Sequence, residues 1–321
     1  MYLIKVSSNP NLGKGHISRC LRIRKKIKYE VKWFVDKGTK KLFFDNVNDE
    51  VFEEEDVNSF DKLEKISAKN NIKAIIIDVT NFEKNKVRKL SKVYPVVLIV
   101  DYYLQISNTL RICFHPIPKL EKNFLSGFQY FPLYKKKVAC IQRDKIKILV
   151  SFGNIDRSEF TEKVIETFKF LFDNKIIDSK KIEVNVVLGQ YKKNVKVIKN
   201  NIYLNKSFNI HFNLDKLDDL YKITNFAIGA PGFSQLERIE YGIPTILVSQ
   251  NSIQANLLRY WRSSNCCIIA KNVENDLKSK ILLLVKSKET IKKIKKNINK
   301  KFDNKGALRI IEKIESYSKS Y

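Results

Sequence analysis

"YLIKVSSNPNLGKGHISRCLRI" (Tyr2–Ile23) passes from a short apolar run, through a glycine loop, into a segment of helical periodicity. The apolar run at its start predicts a buried strand. Ile17 and Cys20 are spaced to lie on one face of the helix that follows. Gly13 and Gly15 stand between the two elements, in a chain that has 10 glycines in 321 residues. The stretch therefore predicts a strand–loop–helix unit, whose loop is a candidate anion site.

The same alternation recurs along the chain. Apolar runs predict further strands, and most of them are followed by a segment of helical pattern. The runs lie within residues 31–35, 73–78, 94–101, 145–154, 182–189, 225–232 and 244–249. Strands that are apolar on both faces indicate parallel sheets covered by helices on both sides. The predicted class is α/β, with Rossmann-like, doubly wound parallel sheets.

A break in this rhythm predicts two domains. Residues 104–144 contain several prolines and a lysine run, and they are predicted to be rich in loops. We place an N-terminal domain at 1–143, with the Gly–His loop, and a C-terminal domain at 144–321, with a lysine-rich helical tail. Ligands of such sheets bind beyond the carboxyl ends of the strands, so a cleft between the domains is the expected active site.

Composition narrows the class of protein. The five cysteines are scattered without metal-ligand spacing, and no segment has the length of a membrane span or a secretory signal. We predict a cytoplasmic protein, a monomer, with no cofactor and no metal. The formal charge of +27 comes from lysines spread along the whole chain, without a nucleic-acid-binding motif. We therefore predict no nucleic-acid partner and no membrane insertion, and only weak contact with an acidic membrane remains open.

Three clusters carry candidate chemistry. The first is Gly13-Lys14-Gly15-His16, at the start of the first helix, where backbone amides and the helix dipole favour an anion. It has neither the Walker A spacing nor a complete G-x-G-x-x-G pattern. The alternative is an ordinary glycine turn with a histidine cap.

The second cluster lies at residues 229–244, "GAPGFSQLERIEYGIP". Here a predicted strand ends in a Gly/Pro loop that enters a helix, which gives a second anion-binding terminus. Glu237 could accept hydrogen bonds from the two vicinal hydroxyls of a ribose, or it could be a surface glutamate. Gly242 is predicted to close the helix at the C′ position. The candidate binding residues in this loop and its helix are Gly229, Gly232, Phe233, Ser234 and Glu237.

The third cluster is "ILVSFGNID", in which Gly153 and Asn154 follow a strand. The alternative there is a plain turn between strand and helix. Asp78 and Asp101 end two further predicted strands and are candidate sugar-side groups. His115 and His211 are predicted to be structural or exposed.

Taken in order, the three clusters resemble the UDP-sugar hydrolase of pseudaminic acid biosynthesis. They also resemble the wider group of glycosyltransferase-B-fold (GT-B) proteins, which includes the MurG-type N-acetylglucosaminyltransferase. The hydrolase motif is approximately G-x-G-H-x-x-R-x-L, which stands here as residues 13–21, from Gly13 to Leu21. The similarity extends over roughly residues 1–265.

The resemblance implies a GT-B fold and a UDP-sugar substrate, with UDP held mainly by the C-terminal domain. It implies that His16 activates water for attack at the anomeric carbon, and we predict Asp78 beside it as catalytic. Arg19 is predicted to support the loop or the substrate. Asn251 and Gln254 are predicted to contact the nucleotide or the sugar.

Three departures from the family pattern are visible. The family often has a tyrosine at the position of Thr80, its Gly-Gly loop is Pro231-Gly232 here, and its Asn-Gln pair is Ile253-Gln254. The predicted activity is hydrolysis of the UDP-sugar, which releases a di-N-acetylated deoxy sugar for nonulosonic acid synthesis. The alternatives are a MurG-like transferase that uses the same donor and a nucleotide-binding relative without turnover.

Overall fold

The structure is a computed structural model, and its chain divides into two compact units. The first comprises Met1–Leu133 and Phe302–Tyr321, and the second Tyr134–Lys301. The residues that the structure describes are 1–8, 15–44, 47–117, 121–136, 138, 144–153, 159–189, 198, 206–212, 214, 216–271 and 276–321.

The first unit contains a seven-stranded sheet in the order β3-β2-β1-β4-β5-β6-β7, with all neighbouring strands parallel. Its strands are β1 (Tyr2–Val6), β2 (Val31–Asp36), β3 (Glu50–Glu54), β4 (Ala74–Asp78), β5 (Val96–Val100), β6 (Thr109–Cys113) and β7 (Phe124–Ser126). Every residue of β1, β4, β5 and β6 is buried, as expected for strands covered on both faces.

The helices of the first unit are short. They are α1 (Gly15–Arg24), α2 (Thr39–Phe43), α3 (Asp61–Ser67), α4 (Lys84–Leu90) and the C-terminal helix α11 (Gly306–Ser318). Ser59 is a residue type that commonly caps helices, but the N-cap residue of α3 is Phe60. The Asp61 amide lies 3.5 Å from the Ser59 hydroxyl, so this serine is one residue too early to cap the helix.

The second unit contains a six-stranded parallel sheet in the order β10-β9-β8-β11-β12-β13. Its strands are β8 (Ile146–Ser151), β9 (Ile182–Leu188), β10 (Phe208–Phe212), β11 (Phe226–Gly229), β12 (Thr245–Leu247) and β13 (Ile268–Ile269). Its helices are α5 (Phe160–Asp173), α6 (Asp218–Ile223), α7 (Phe233–Glu240), α8 (Ser252–Ser264), α9 (Leu277–Lys286) and α10 (Lys288–Lys301).

Helix α7 ends as its sequence predicts. Gly242 has φ +64° and occupies C′, where its amide donates to the Ile239 carbonyl at 2.9 Å. The Ile243 amide donates to the Arg238 carbonyl at 2.9 Å, which completes a Schellman motif. The predicted C′ glycine is confirmed, because a left-handed backbone at this position favours a residue without Cβ.

Several elements differ from the sequence predictions. The segment 104–144, predicted as loop, contains β6 and β7, and "EVFEE" forms the edge strand β3. His211 lies within β10, a strand that the sequence predictions do not include. These strands are short, and three of them, β3, β7 and β10, lie at a sheet edge. Their place is decided by pairing with the strand beside them.

The lysine-rich tail also divides between the units. Helices α9 and α10 belong to the second unit, whereas α11 belongs to the first. The domain predicted from the sequence, 144–321, contains all three helices. Phe302 packs on Phe128 and Phe131 at ring-centroid distances of 5.5 and 6.1 Å, and Arg309 Nη1 donates to the Gln129 carbonyl at 3.0 Å. Within the residues that the structure describes, no helix is long and apolar enough to cross a membrane.

Candidate active site

Helix α1 presents two polar side chains at the carboxyl end of the first sheet. His16 and Arg19 are three residues apart, so they lie on the same side of the helix. Ile17, Cys20 and Ile23 are buried and pack the helix against the rest of the unit. Arg19 is itself buried, at 7% exposure, although it is charged. Gly15 is the first residue of the helix, and Gly13 lies outside the residues that the structure describes.

Two acidic residues meet α1 because their strands, β4 and β5, follow β1 in the order of the sheet. Asp78 is the last residue of β4, which pairs with β1 in parallel, and Val6 stands opposite it. The Ser7 amide donates to the Asp78 carbonyl at 3.0 Å, which ties the two strand ends together. Asp101 directly follows β5, the next strand in the sheet. Parallel strands bring these carboxyl ends to one edge of the sheet.

The His16 imidazole faces the Asp78 carboxylate. Its Nδ1 lies 2.7 Å from Asp78 Oδ1, and the histidine side chain keeps 20% exposure whereas the aspartate side chain keeps 1%. An ionised carboxylate only accepts hydrogen bonds, so Nδ1 must donate the proton in this contact. The neutral imidazole then carries its lone pair on Nε2. This is the arrangement of a general base whose orientation a carboxylate fixes.

Arg19 joins both carboxylates. Its Nε and Nη2 donate to Asp78 Oδ2 and Oδ1, each at 2.6 Å, which makes a bidentate pair. Its Nη1 donates to Asp101 Oδ1 at 2.7 Å. The guanidinium carbon lies 5.5 Å from the centre of the Phe114 ring. Arg19 is thus held between Asp78, Asp101 and an aromatic ring, and it acts within this cluster as a support.

The charges of this cluster keep Asp78 ionised. Burial by itself would raise the pKa of Asp78, but the charge and hydrogen bonds of Arg19, with those of His16, outweigh burial and hold that pKa well below its usual range. Burial opposes the charge of Arg19 as well, and the two carboxylates raise its pKa. The carboxylate that orients His16 is therefore an anion at neutral pH.

The second unit brings the other candidate residues to the carboxyl ends of β8 and β11. These two strands are parallel neighbours, with Ser151 opposite Gly229. Gly153 follows β8 with φ +89°, a backbone conformation that favours glycine. At Gly229 a Cβ would collide with the Ser151 carbonyl oxygen and lie 2.6 Å from Arg238 Nη1. Asn154 lies outside the residues that the structure describes.

Helix α7 begins directly after this loop. Gly232 is its N-cap residue, and Phe233 and Ser234 form its first turn, where amides without helical partners favour an anion. Glu237 is half-buried one turn further on, and its Oε2 accepts a hydrogen bond from the Tyr221 hydroxyl at 3.1 Å. The structure thus places a helix N-terminus and an oriented carboxylate on one element.

Asn251 and Gln254 cap helix α8. Asn251 is the N-cap residue, and its Oδ1 accepts from the Gln254 amide at 2.9 Å. Gln254 Oε1 accepts in turn from the Gln250 amide at 2.8 Å. Gln250 Nε2 donates to the Phe152 carbonyl at 2.9 Å, which ties this cap to the loop after β8. The predicted ligand-binding role of Asn251 and Gln254 is therefore accompanied by a structural one.

Two features of the site lie outside the roles predicted from the sequence. His115 lies close after β6 with 7% exposure, and burial lowers its pKa to about 4, while Asp101 acts in the opposite direction. The sequence signal for His115 is its position shortly after a strand. Because β6 neighbours β5, that position lies at the same sheet edge as Asp101. Arg238 and Gln235 are completely buried in α7, and no sequence pattern marks them.

The first unit also contains an open cavity of about 460 Å³. It lies between the segments that follow β3 and β4 and is lined by Asp56, Asn58, Ser59, Asn81, Phe82, Glu83 and Lys86. None of the residues predicted as catalytic or binding lines it.

Comparison with known proteins bears on the fold. No protein-family profile matches this chain. A curated relative, the uncharacterized protein MJ1062 of Methanocaldococcus jannaschii, is 26% identical over 277 residues, which cover 76% of this chain and 54% of the relative. The chain thus spans about half the length of the curated relative that it matches.

Solved structures match over almost the whole chain. MurG of Acinetobacter baumannii is 11% identical with a TM-score of 0.69, and the match covers 98% of this chain and 99% of that one. A glycosyltransferase of Rickettsia africae is 14% identical with a TM-score of 0.68, covering 100% and 99%. The calicheamicin glycosyltransferase CalG4 is 12% identical with a TM-score of 0.65, covering 98% and 97%.

The chain has the GT-B fold. Its two Rossmann-like units, each with a parallel sheet, agree with these neighbours, and the predicted fold class is confirmed. At these levels of identity the neighbours establish the architecture alone.

Proposed function

We propose that this protein hydrolyses a UDP-sugar and that His16 activates the attacking water. One observation carries the proposal, namely the 2.7 Å contact between His16 Nδ1 and Asp78 Oδ1. The ionised Asp78 keeps the proton on Nδ1, so Nε2 is the basic nitrogen. Arg19 fixes Asp78 from the other side through its bidentate pair. The arrangement supplies an oriented base at the carboxyl end of a Rossmann-like sheet.

The reaction is a single displacement at the anomeric carbon. Water gives a proton to His16 Nε2 while its oxygen bonds to the anomeric carbon. The bond from that carbon to the phosphate oxygen breaks, and its electron pair leaves with UDP. The imidazolium then returns its proton to solvent, so the products are free sugar, UDP and one proton. Direct attack by water predicts inversion at the anomeric carbon.

The second unit supplies the groups expected to hold the nucleotide. The first turn of α7, at Phe233 and Ser234, offers amides to a diphosphate, which leaves as a stable anion and needs donors more than a proton. Glu237, oriented by Tyr221, is the proposed partner of the ribose hydroxyls. The loops at Gly153 and Gly229 allow a ligand to approach the backbone closely.

The resemblance to the pseudaminic-acid hydrolase suggests the substrate class. We propose a UDP-linked, di-N-acetylated deoxy sugar, released for nonulosonic acid synthesis by a monomeric cytoplasmic enzyme without a cofactor. Asp101, held by Arg19 and keeping 42% side-chain exposure, is the proposed sugar-side acceptor.

Hydrolysis in H₂¹⁸O tests this proposal. The protein is incubated with UDP-2,4-diacetamido-2,4,6-trideoxy-altropyranose, and in parallel with UDP-N-acetylglucosamine, without an acceptor. We expect UDP and free sugar from the first substrate, with ¹⁸O on the sugar and none on the phosphate. His16→Ala should abolish turnover, whereas His211→Ala, a histidine in the second unit, should retain it.

Three outcomes would contradict the proposal. Label on the phosphate would show attack at phosphorus. Release of UDP only when an acceptor is added would favour the transferase. Binding of UDP with no turnover of either sugar nucleotide would favour a nucleotide-binding relative.

A further inference from the structure

A buried arginine lies beneath the two loops of the second unit. Arg238 has 0% exposure, and its Nη2 donates to the Ala230 carbonyl oxygen at 2.7 Å. Its Nη1 reaches the Ser151 carbonyl oxygen at 3.4 Å. Ser151 ends β8 and Ala230 follows β11, which is its neighbour in the sheet. One guanidinium therefore holds the backbone of both loops.

The hydrogen-bond partners of this arginine are neutral. Besides the two carbonyls, its Nε donates to Gln235 Oε1 at 2.9 Å. Across the part of the chain that the structure describes, no carboxylate forms an ion pair with Arg238. Glu237 attracts it only at longer range. An arginine stays protonated even when it is buried, so a cation without an ion-pair partner lies under the loops.

The surrounding packing is shaped to this contact. Any side chain at residue 229 would have its Cβ 2.6 Å from Arg238 Nη1 and in collision with the Ser151 carbonyl oxygen. Gln235 Nε2 is buried, and it has no hydrogen-bond partner among the described residues. The amide of Gln235 is therefore oriented by Arg238 alone, with its oxygen toward the cation.

This arrangement suits an anion on the outer side of the loops. A carbonyl oxygen carries partial negative charge and would repel a phosphate, but the guanidinium binds two of these oxygens from beneath. A charge buried in a medium of low dielectric acts strongly over short distances. The buried cation adds to the positive potential of the α7 N-terminus.

We propose that Arg238 is a positioning residue whose unpaired charge gives this site its preference for a diphosphate over an uncharged nucleoside. The proposal rests on the proposed function, which assigns the nucleotide to this unit. It adds that the affinity for the diphosphate depends on the charge of Arg238, and not only on the hydrogen bonds from its guanidinium to the Ser151 and Ala230 carbonyls.

Gln235→Glu separates these two roles. The new carboxylate has the shape of the amide and faces Arg238 Nε at the observed 2.9 Å, so it neutralises the cation. The hydrogen bonds from Arg238 to the two backbone carbonyls stay in place. By calorimetry we expect UDP to bind at least about tenfold more weakly, a loss near 1.4 kcal/mol. Uridine should bind as tightly as it does to the wild type. Gln235→Met, which adds no charge, is the matched control and should keep its preference for UDP.

A second pair of variants covers a failure of Gln235→Glu to fold. Arg238→Lys keeps the charge and should retain the UDP-to-uridine affinity ratio, whereas Arg238→Met should lower that ratio at least about tenfold. Arg111→Met, at a buried arginine of the first unit, controls for general loss of stability and should leave the ratio unchanged.

The results distinguish this inference from the proposed function. A protein that binds UDP but hydrolyses no UDP-sugar would contradict the proposed reaction and leave the charge argument intact. Equal UDP-to-uridine ratios in wild type and Gln235→Glu, or in the two Arg238 variants, would overturn the charge argument alone. Absence of UDP binding by the wild type would overturn both.

Discussion

Arg19 Nη2 lies 2.6 Å from Asp78 Oδ1, the same carboxylate oxygen that lies 2.7 Å from His16 Nδ1. One buried oxygen thus accepts from a permanent cation and from the proposed base. The arginine keeps the carboxylate ionised, and the ionised carboxylate fixes the histidine tautomer. Arg19 therefore determines the tautomer of the proposed base without needing to contact the substrate.

Removing Arg19 should cost stability as well as activity. Arg19→Met leaves the charge of Asp78 buried without its main partner, and the free energy of unfolding should fall by about 3–5 kcal/mol. Urea unfolding followed by circular dichroism measures the change. Arg24→Met, on the same helix, breaks the more exposed pair with Asp49 and should cost clearly less. An equal loss in the two variants would contradict the assigned role of Arg19.

Asp78 should make the fold sensitive to acid. Its pKa is lowered in the folded state, so its stabilising contribution is complete above the unfolded value of about 3.9 and is lost as pH falls through the lower folded pKa. Asp78→Asn should be less stable than the wild type at pH 7, and this difference should shrink as pH falls below about 4. A difference in unfolding free energy that stays constant from pH 7 to pH 3 would contradict this.

His115 should change the free energy of unfolding at a higher pH than Asp78 does. Burial lowers its pKa to about 4, so between pH 6.5 and that value the unfolded chain binds a proton that the folded chain does not. Stability should therefore fall as pH decreases through this window, by roughly 3 kcal/mol in total. His115→Asn should remove this part of the pH dependence in urea titrations at pH 7 and pH 4.5. An unchanged slope would show that the imidazole titrates normally in the folded protein.

Two glycines of one loop should respond differently to the same substitution. Gly229→Ala places a Cβ against Ser151 and Arg238, and it should lower the free energy of unfolding by about 1–3 kcal/mol or more and weaken UDP binding. A Cβ at Gly232 meets nothing within 4 Å, so Gly232→Ala should cost only the preference of an N-cap for glycine over alanine, less than about 1 kcal/mol. Thermal unfolding with and without UDP compares the pair. Similar melting temperatures would contradict the packing argument.

The terminal helix should stabilise the first unit. A Cβ at Gly306 would collide with the Phe131 carbonyl, so Gly306→Ala should move α11 away from its site and destabilise this unit. Hydrogen exchange should increase in β6 and β7 and remain unchanged in β8 and β11. Gly38→Ala is the comparison variant. A Cβ at Gly38 would meet no atom within 4 Å, so only the φ of +81° opposes this substitution. Uniform exchange across both units after Gly306→Ala would contradict the assignment of α11 to the first unit.

Much of the architecture could be predicted because its signals are local. Strands such as "AIIID" and "VVLIV" are apolar throughout, as strands buried on both faces of a parallel sheet must be. Gly242 marked a helix end for an equally local reason, its left-handed backbone. The edge strands β3 and β10 were missed, because "EVFEE" and "FNIHF" carry mixed patterns and depend on a neighbour for pairing.

The candidate site was predictable in its types of residue but not in its contacts. A histidine after a glycine loop, and aspartates at strand ends, indicated where chemistry could occur. That Arg19 bridges Asp78 and Asp101 depends on β4 lying beside β1 and on β5 lying beside β4. Neither periodicity nor composition predicts that Arg238 and Gln235 are buried.

The sequence by itself determined the class of the fold, the repeated strand–helix units and the glycine loop in front of His16. These features follow from burial patterns and backbone preferences within a few residues. Only the tertiary structure decided that His16, Arg19 and Asp78 form one hydrogen-bonded cluster and that a cation lies beneath the loops of the second unit. The physical reason is that Arg19 meets Asp78 across 59 positions and Arg238 meets Ser151 across 87, and strand order, which no local pattern encodes, brings them together.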